Sequence, residues 1–307
     1  MILVSDSAVH RGNDEGFDHA GFGCHKLDRI MTAIFLGTLV GLVLGLTGAG
    51  GSIFAVPLLI FGLGWDMRQA TPVALLAVCG AALVGTASAW KSRQVCQRAA
   101  LLVGVFGSVT APLGIVLAAR ASHSLLALSF AAVMAIVAVR MILQARARPS
   151  ETRVVRATGA NDDSPGAPVC RVDMISRRIR LSSPCALVLA LSGGITGVLS
   201  GALGVGAGFV IVPTLRAATE LSIGSSIATS LMAIAIISAS AVVGFLVGGD
   251  SFPLAVAAPF LVGALSGMLI GRGVAPRVSG PRLQQTFAAF MIIAAASMVW
   301  RELATVR

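Results

Sequence analysis

Tyrosine is absent from this chain of 307 residues, and charge is scarce, with Asp, Glu, Lys and Arg making up 12%. Soluble domains carry nearer 25% charged residues, so this chain lacks the groups to cover a water-facing surface. Aromatic residues amount to 5%, fewer than a soluble core of this size would draw on. The five cysteines (Cys24, Cys79, Cys96, Cys170 and Cys185) are far apart and form no CxxC, which argues against a disulfide framework or a zinc site. Catalytic groups are also missing. No apolar stretch holds a carboxylate pair, no Ser/His/Asp set is evident, and His123 is the only histidine beyond the N-terminal tail. The pattern is not that of an enzyme, and it calls for no cofactor and no metal.

What the chain does have is apolar length. Hydrophobic residues make up 56%, glycine contributes 35 residues, and the mean hydropathy is +0.90. Ionisable Asp, Glu, Lys and Arg are missing between Arg29 and Asp66, Arg68 and Lys91, Arg98 and Arg120, and Arg120 and Arg140. The same holds from Arg180 to Arg216, Glu220 to Asp250, Asp250 to Arg272, and Arg282 to Arg301. At about 1.5 Å per residue each stretch can cross a hydrocarbon core of about 30 Å. A charge at mid-bilayer costs about 2.5–3.5 kcal/mol, which accounts for the gaps. The fold class is therefore all-α and integral to a membrane. About eight transmembrane spans are expected, and the bilayer is the main partner.

The formal net charge of +10 belongs to loops. Eight Arg lie between Arg146 and Arg180, and Lys91, Arg93 and Arg98 fill another connection. Loops rich in Lys and Arg mark the cytoplasmic side. No aromatic residues interleave with these charges, so no nucleic-acid partner is expected. Residues 1–29 form a polar tail of mixed charge without the apolar core of a signal peptide. His10, His19, Cys24 and His25 cluster there, and a disordered tail explains them more simply than a metal site. Met31 opens the first apolar block, so Met1 and Met31 both stand as candidate starts.

A linker over residues 146–183 divides a first membrane unit, 30–145, from a second, 184–302. The first reads GLVLGLTGAGGSIFAVP from Gly41 to Pro57, and the second reads GVLSGALGVGAGFVIVP from Gly197 to Pro213. Gly41, Gly45, Gly48, Gly50 and Pro57 match Gly197, Gly201, Gly204, Gly206 and Pro213 at one offset without gaps. Further on, Ala70-Thr71-Pro72 resembles Ala228-Thr229-Ser230 with the offset grown by two. The pattern predicts two homologous repeats, a design in which two halves rock about a shared site.

One block in each unit is too long for a single crossing. Ile30–Trp65 and Leu181–Leu215 hold 36 and 35 residues, about 54 Å as straight helix. Each is expected to break at its glycine cluster, with a second helical piece opening near Ser52 or Gly208, making up to ten segments. The alternative is one long, tilted, kinked helix. With five segments per unit the second half is inverted relative to the first; with four it runs parallel. Leaving out the tail, the inverted arrangement puts sixteen basic residues inside and four outside, against fourteen and six. Counting the tail reverses that ranking by one residue. Inversion is the expectation adopted.

A broken membrane helix exposes backbone groups, and it is tolerated where it is buried in protein or lines a wet cavity. Free N–H groups at a helix start, together with the helix dipole, favour an anion. The candidate substrate-binding residues are therefore Gly48, Gly50, Gly51 and Ser52 in the first half, and Gly204, Gly206 and Gly208 in the second. Gly37, Gly41 and Gly45, like Gly193, Gly197 and Gly201, fit close helix packing instead. Thr71, Thr229 and Ser230 join the candidates as hydroxyls near helix starts, although capping by Thr71-Pro72 explains that pair equally well.

These twin motifs, each followed by an A-T-(P/S) element, resemble the TauE/SafE family of sulfite and organosulfonate exporters. The resemblance covers Ile30 to Trp300 apart from the linker. It implies a multi-pass permease of the bacterial inner membrane that moves small sulfur-containing oxyanions or sulfonates. Ala207 stands where the first half has Gly51, and the central loop is unusually long; both leave the substrate open. The alternatives are a carrier of an unrelated solute or cation, and an assembly protein that docks a partner through the Arg-rich loop. Oligomeric state and coupling ion are not legible.

Overall fold

The protein is described from a computed structural model covering residues 18–48, 50–91, 94–147, 172–173, 178–179, 183–206, 208–219, 221–248, 254–278 and 281–306. It is helical almost throughout. The first half contains α1 (Asp18–Thr47), a 3-10 turn (Gly50–Phe54) that runs directly into α2 (Ala55–Leu63), α3 (Met67–Lys91), α4 (Gln97–Arg120) and α5 (His123–Ala147). The second half contains α6 (Ser183–Leu203), α7 (Gly208–Ala218), α8 (Ile223–Val247), α9 (Leu254–Val278) and α10 (Pro281–Val306). In the linker, β1 (Val172–Asp173) pairs antiparallel with β2 (Arg178–Ile179). Among the described residues seven helices are long and apolar enough to cross a membrane, namely α1, α3, α4, α5, α6, α8 and α9; α10 holds a shorter apolar stretch, Gln285–Arg301.

Both long blocks are broken, so the kinked-helix alternative fails. Helix α1 begins at Asp18, so residues 18–29, read from the sequence as tail, include its first turns. The side chains of His10, His19, Cys24 and His25 lie outside the described residues. Cys185 is disulfide-bonded, while Cys79 and Cys96 are free thiols.

Glycine sets the packing. A methyl group at Gly37, Gly41 or Gly45 of α1 would overlap the backbone of α9 at Phe260, Ala264 and Met268 in turn. Gly193, Gly197 and Gly201 of α6 meet Val103, Gly107 and Ala111 of α4 in the same way. Contacts of this closeness gain dispersion energy where no hydrophobic effect separates helix from lipid. The order of these contacts also gives direction. Positions ascend together along α1 and α9, and along α4 and α6, so each pair is parallel. Gly80 against Leu261 and Gly85 against Met268 align α3 with α9, while Gly104 against Ile236 and Gly244 against Ile115 align α4 with α8.

Helices α3 and α8 run oppositely. Cys79 Sγ donates to Ala235 O at 3.7 Å, and Gly85, further along α3, meets Leu231, which is earlier on α8. Helices α1, α3 and α9 therefore share one direction, and α4, α6 and α8 share the other. The second half is inverted relative to the first. Each short helix folds back along the long one before it: Gly51 rests on Val43 and Leu44, and Gly62 rests on Leu36. On the side where α3 ends, Arg272 of α9 donates to Gly85 O and Ser88 Oγ, charging the C-terminal turns of α3 favourably.

Candidate functional site

Two glycines make the breaks. Gly48 follows α1 with φ +78°, its N–H bonded to Leu44 O at 2.7 Å. Gly204 follows α6 with φ +69°, its N–H bonded to Ser200 O at 2.9 Å. Left-handed backbone costs other L-residues about 1–2 kcal/mol, and space is lacking as well. A methyl at Gly48 would strike the side chain of Ile227 on α8, and one at Gly204 would strike Thr71 on α3.

Past the breaks the two chains meet. Gly206 lies against Val78 of α3, Ile234 of α8 and the Cβ of Ser52. Val78 and Ile234 fall near the middle of their 25-residue helices, so the meeting point is central to the molecule. Helix α7 opens at Gly208 as expected, whereas the first half enters through the 3-10 turn and becomes α-helical only at Ala55. At such starts, those of α7 and of the 3-10 turn that leads into α2, the first N–H groups have no partner within the helix itself. The positive ends of the two helix dipoles are thus brought to one region.

The sequence candidates divide on inspection. Ser52, Gly206 and Gly208 are buried at the convergence. Gly50 has only its own Thr47 side chain within 4 Å, at 3.7 Å, and is the open member of the set. Gly51 is filled by the backbone of α1 and serves packing. Thr71 is not a helix cap. Helix α3 starts one turn earlier, after Asp66, and Thr71 Oγ1 donates to Met67 O at 2.7 Å inside it. Thr229 donates to Ser225 O at 2.6 Å and accepts from Cys96 N at 3.0 Å, which pins the start of α4 to α8. Its hydroxyl is committed to protein. Ser230 is buried and donates to Ile227 O at 2.8 Å, leaving its lone pairs. The Gly48–Ile227 and Gly204–Thr71 contacts also make Ile227 the spatial counterpart of Thr71, two residues before Thr229.

Sequence reasoning missed Ile227, Val78 and Ile234, which are ordinary apolar residues until a fold brings them to the glycines. It also missed three fully buried hydroxyls, Ser200, Ser226 and Ser238, whose Oγ atoms have no partner. A separate apolar groove of about 500 Å³ lies between α5 and α10, lined by residues such as Leu128, Ala135, Ile292 and Trp300. None of its lining residues belongs to the glycine breaks. No group of three or more metal-ligating side chains occurs among the described residues.

Inverted halves, re-entrant helices and a central meeting of helix ends define a polytopic membrane transporter of the broken-helix kind. The chain belongs to the sulfite exporter TauE/SafE family, whose model matches residues 33–298. It is 29% identical over 283 residues to a probable membrane transporter protein of Xylella fastidiosa strain 9a5c, covering 91% of this chain and 98% of that one. It is 24% identical over 279 residues to the probable membrane transporter protein YjnA of Bacillus subtilis, covering 88% and 99%. No solved structure matches the chain.

Proposed function

We propose that the protein is a secondary transporter of small oxyanions, with sulfite, thiosulfate or a sulfonate as substrate, held where the two breaks meet. The observation that carries this reading is the contact of Gly206 with Ser52 between α3 and α8, which joins the starts of two re-entrant helices. Two dipole ends and the N–H groups of two helix starts offer a divalent or monovalent oxyanion several donors without a buried cation. The family's description as sulfite exporters supports the sulfur oxyanion class. The chain would sit in the bacterial inner membrane with its basic linker in the cytoplasm. The first re-entrant helix then enters from the cytoplasmic side and the second from the opposite side.

The test is efflux of sulfite from proteoliposomes, joined to a thermal-shift screen with sulfite, thiosulfate, sulfonates, carboxylates and metal ions. Wild-type protein is expected to move and be stabilised by the sulfur oxyanions. Gly50→Val, at the open position, is expected to abolish flux while the protein remains inserted and monodisperse. Sulfite efflux retained by the double variant Gly50→Val/Gly206→Val would remove the breaks from the transport site.

A further inference from the structure

Hydroxyls in membrane helices ordinarily bond to a carbonyl one turn back. Thr47, Thr71, Thr86, Thr196 and Thr214 do so here. Ser226 and Ser238 of α8 do not, although both are fully buried. With Ser230 and Ile234 they succeed one another at four-residue steps, which is one ridge of a helix. Ile234 is the member of that ridge that meets Gly206. Ser230 therefore lies one turn to one side of the convergence and Ser238 one turn to the other, with Ser226 a turn beyond Ser230. From first to last the ridge covers about 18 Å at about 1.5 Å per residue.

The opposite wall is different. The spatial counterparts on α3, at the offset that relates Val78 to Ile234, are Ala70, Ala74, Val78 and Ala82. None bears a hydroxyl. The molecule thus places a ladder of hydroxyls on the α8 side of the buried convergence, opposite an apolar ridge on α3. An unpartnered hydroxyl in a dry interior is destabilising in itself. It is also a donor ready for a charged acceptor, where a hydrogen bond is strongest. Ser200 repeats the feature one turn before Gly204, at the position held by Leu44 in the first half.

We propose that the Ser226–Ser230–Ser238 ridge of α8 lines the path of the transported anion, donating to its oxygen atoms in succession as it passes from one side of the breaks to the other. This rests on the oxyanion reading above and adds to it which helix supplies side-chain donors. Substrate recognition would then be uneven, with glycine breaks contributed by both halves and, of the two central long helices α3 and α8, a ridge of hydroxyls by α8 alone.

The experiment compares Ser226→Ala, Ser238→Ala and their double variant with wild type, using Ser192→Ala as control because Ser192 Oγ already donates to Leu189 O at 2.8 Å. The readouts are ligand-free melting temperature, the melting shift caused by sulfite, and the sulfite concentration giving half-maximal efflux. The double variant is expected to need at least tenfold more sulfite and to lose the sulfite-induced shift. Its ligand-free melting temperature should be unchanged or higher, since a buried unsatisfied group has been removed. Ser238→Thr, which keeps a hydroxyl, should recover binding. Half-saturation within twofold of wild type would overturn the proposal, and so would a loss of affinity accompanied by a lower ligand-free melting temperature. If wild type neither transports nor is stabilised by any sulfur oxyanion, the oxyanion reading fails first and this inference with it.

Discussion

Gly50 and Gly206 occupy matching places in the two half-sequences, but their surroundings do not match. A methyl at Gly50 would meet only ordinary van der Waals contact, with the Thr47 side chain; beside Gly206 stand Val78, Ile234 and Ser52 at overlapping distances. Gly50→Ala should therefore leave the melting temperature of the purified protein within about a degree of wild type. Gly206→Ala should lower it by several degrees, as overpacking of a closed contact costs about 1–3 kcal/mol. Gly204→Ala should cost at least as much, because the left-handed backbone adds to overlap with Thr71. Equal melting temperatures for the alanine variants at 50 and 204 would contradict the asymmetry described here. The glycine positions were legible in the sequence as a motif. Which of them face space and which face protein was not, because that depends on Ile227, Thr71 and Val78, none of which is near the glycines in the chain.

At the level of elements, the sequence indicated the break of each long block through length alone, since 36 residues overshoot a bilayer. It did not indicate that Gly51 and Gly62 would lay α2 back along α1. The start of α3 was misread for a local reason. Thr71-Pro72 has the chemistry of a cap, but the helix nucleates one turn earlier and absorbs both residues. Thr229, a candidate for substrate in the sequence, ties α8 to the start of α4 through its hydroxyl. Thr229→Val should leave the Cys96 N–H without that acceptor and cost about 1–3 kcal/mol. The expected result is a melting temperature lowered by a few degrees, with half-saturation for sulfite unchanged and with Thr229→Ser close to wild type. A raised half-saturation at unchanged stability would return Thr229 to the binding site.

For the whole molecule, the decisive feature is exchange between halves. Helix α1 packs on α9 and α6 packs on α4, so each half lends its fourth helix to the other. Helix α5 packs on α10 across the same division. The units that packing defines are α1, α2, α3 with α9, and α6, α7, α8 with α4; they meet chiefly along α3 and α8. Any rocking motion would divide the molecule there rather than at the linker. Inversion also fixes the ends of the helical body: α1 starts and α10 ends on one side, and α5 ends and α6 starts on the other. A fluorescent reporter inserted in the linker should be active in the cytoplasm, and a periplasm-dependent phosphatase fused after Arg307 should be active outside. Activity of both reporters on one side would refute the inverted arrangement.

The sequence by itself determined the membrane class, the long apolar segments with the exception of the shorter last one, and the places where two of them break. Those follow from hydropathy, length and glycine, which act locally along the chain. Tertiary structure alone decided that the halves run oppositely, that their helices are exchanged, and that Ser230 and Ser238 lie one helical turn to either side of Ile234, which meets Gly206. The reason is physical. Contacts between α1 and α9, or between Gly206 and Ser52, join residues far apart in sequence, and glycine-to-backbone packing carries no local signature of its partner.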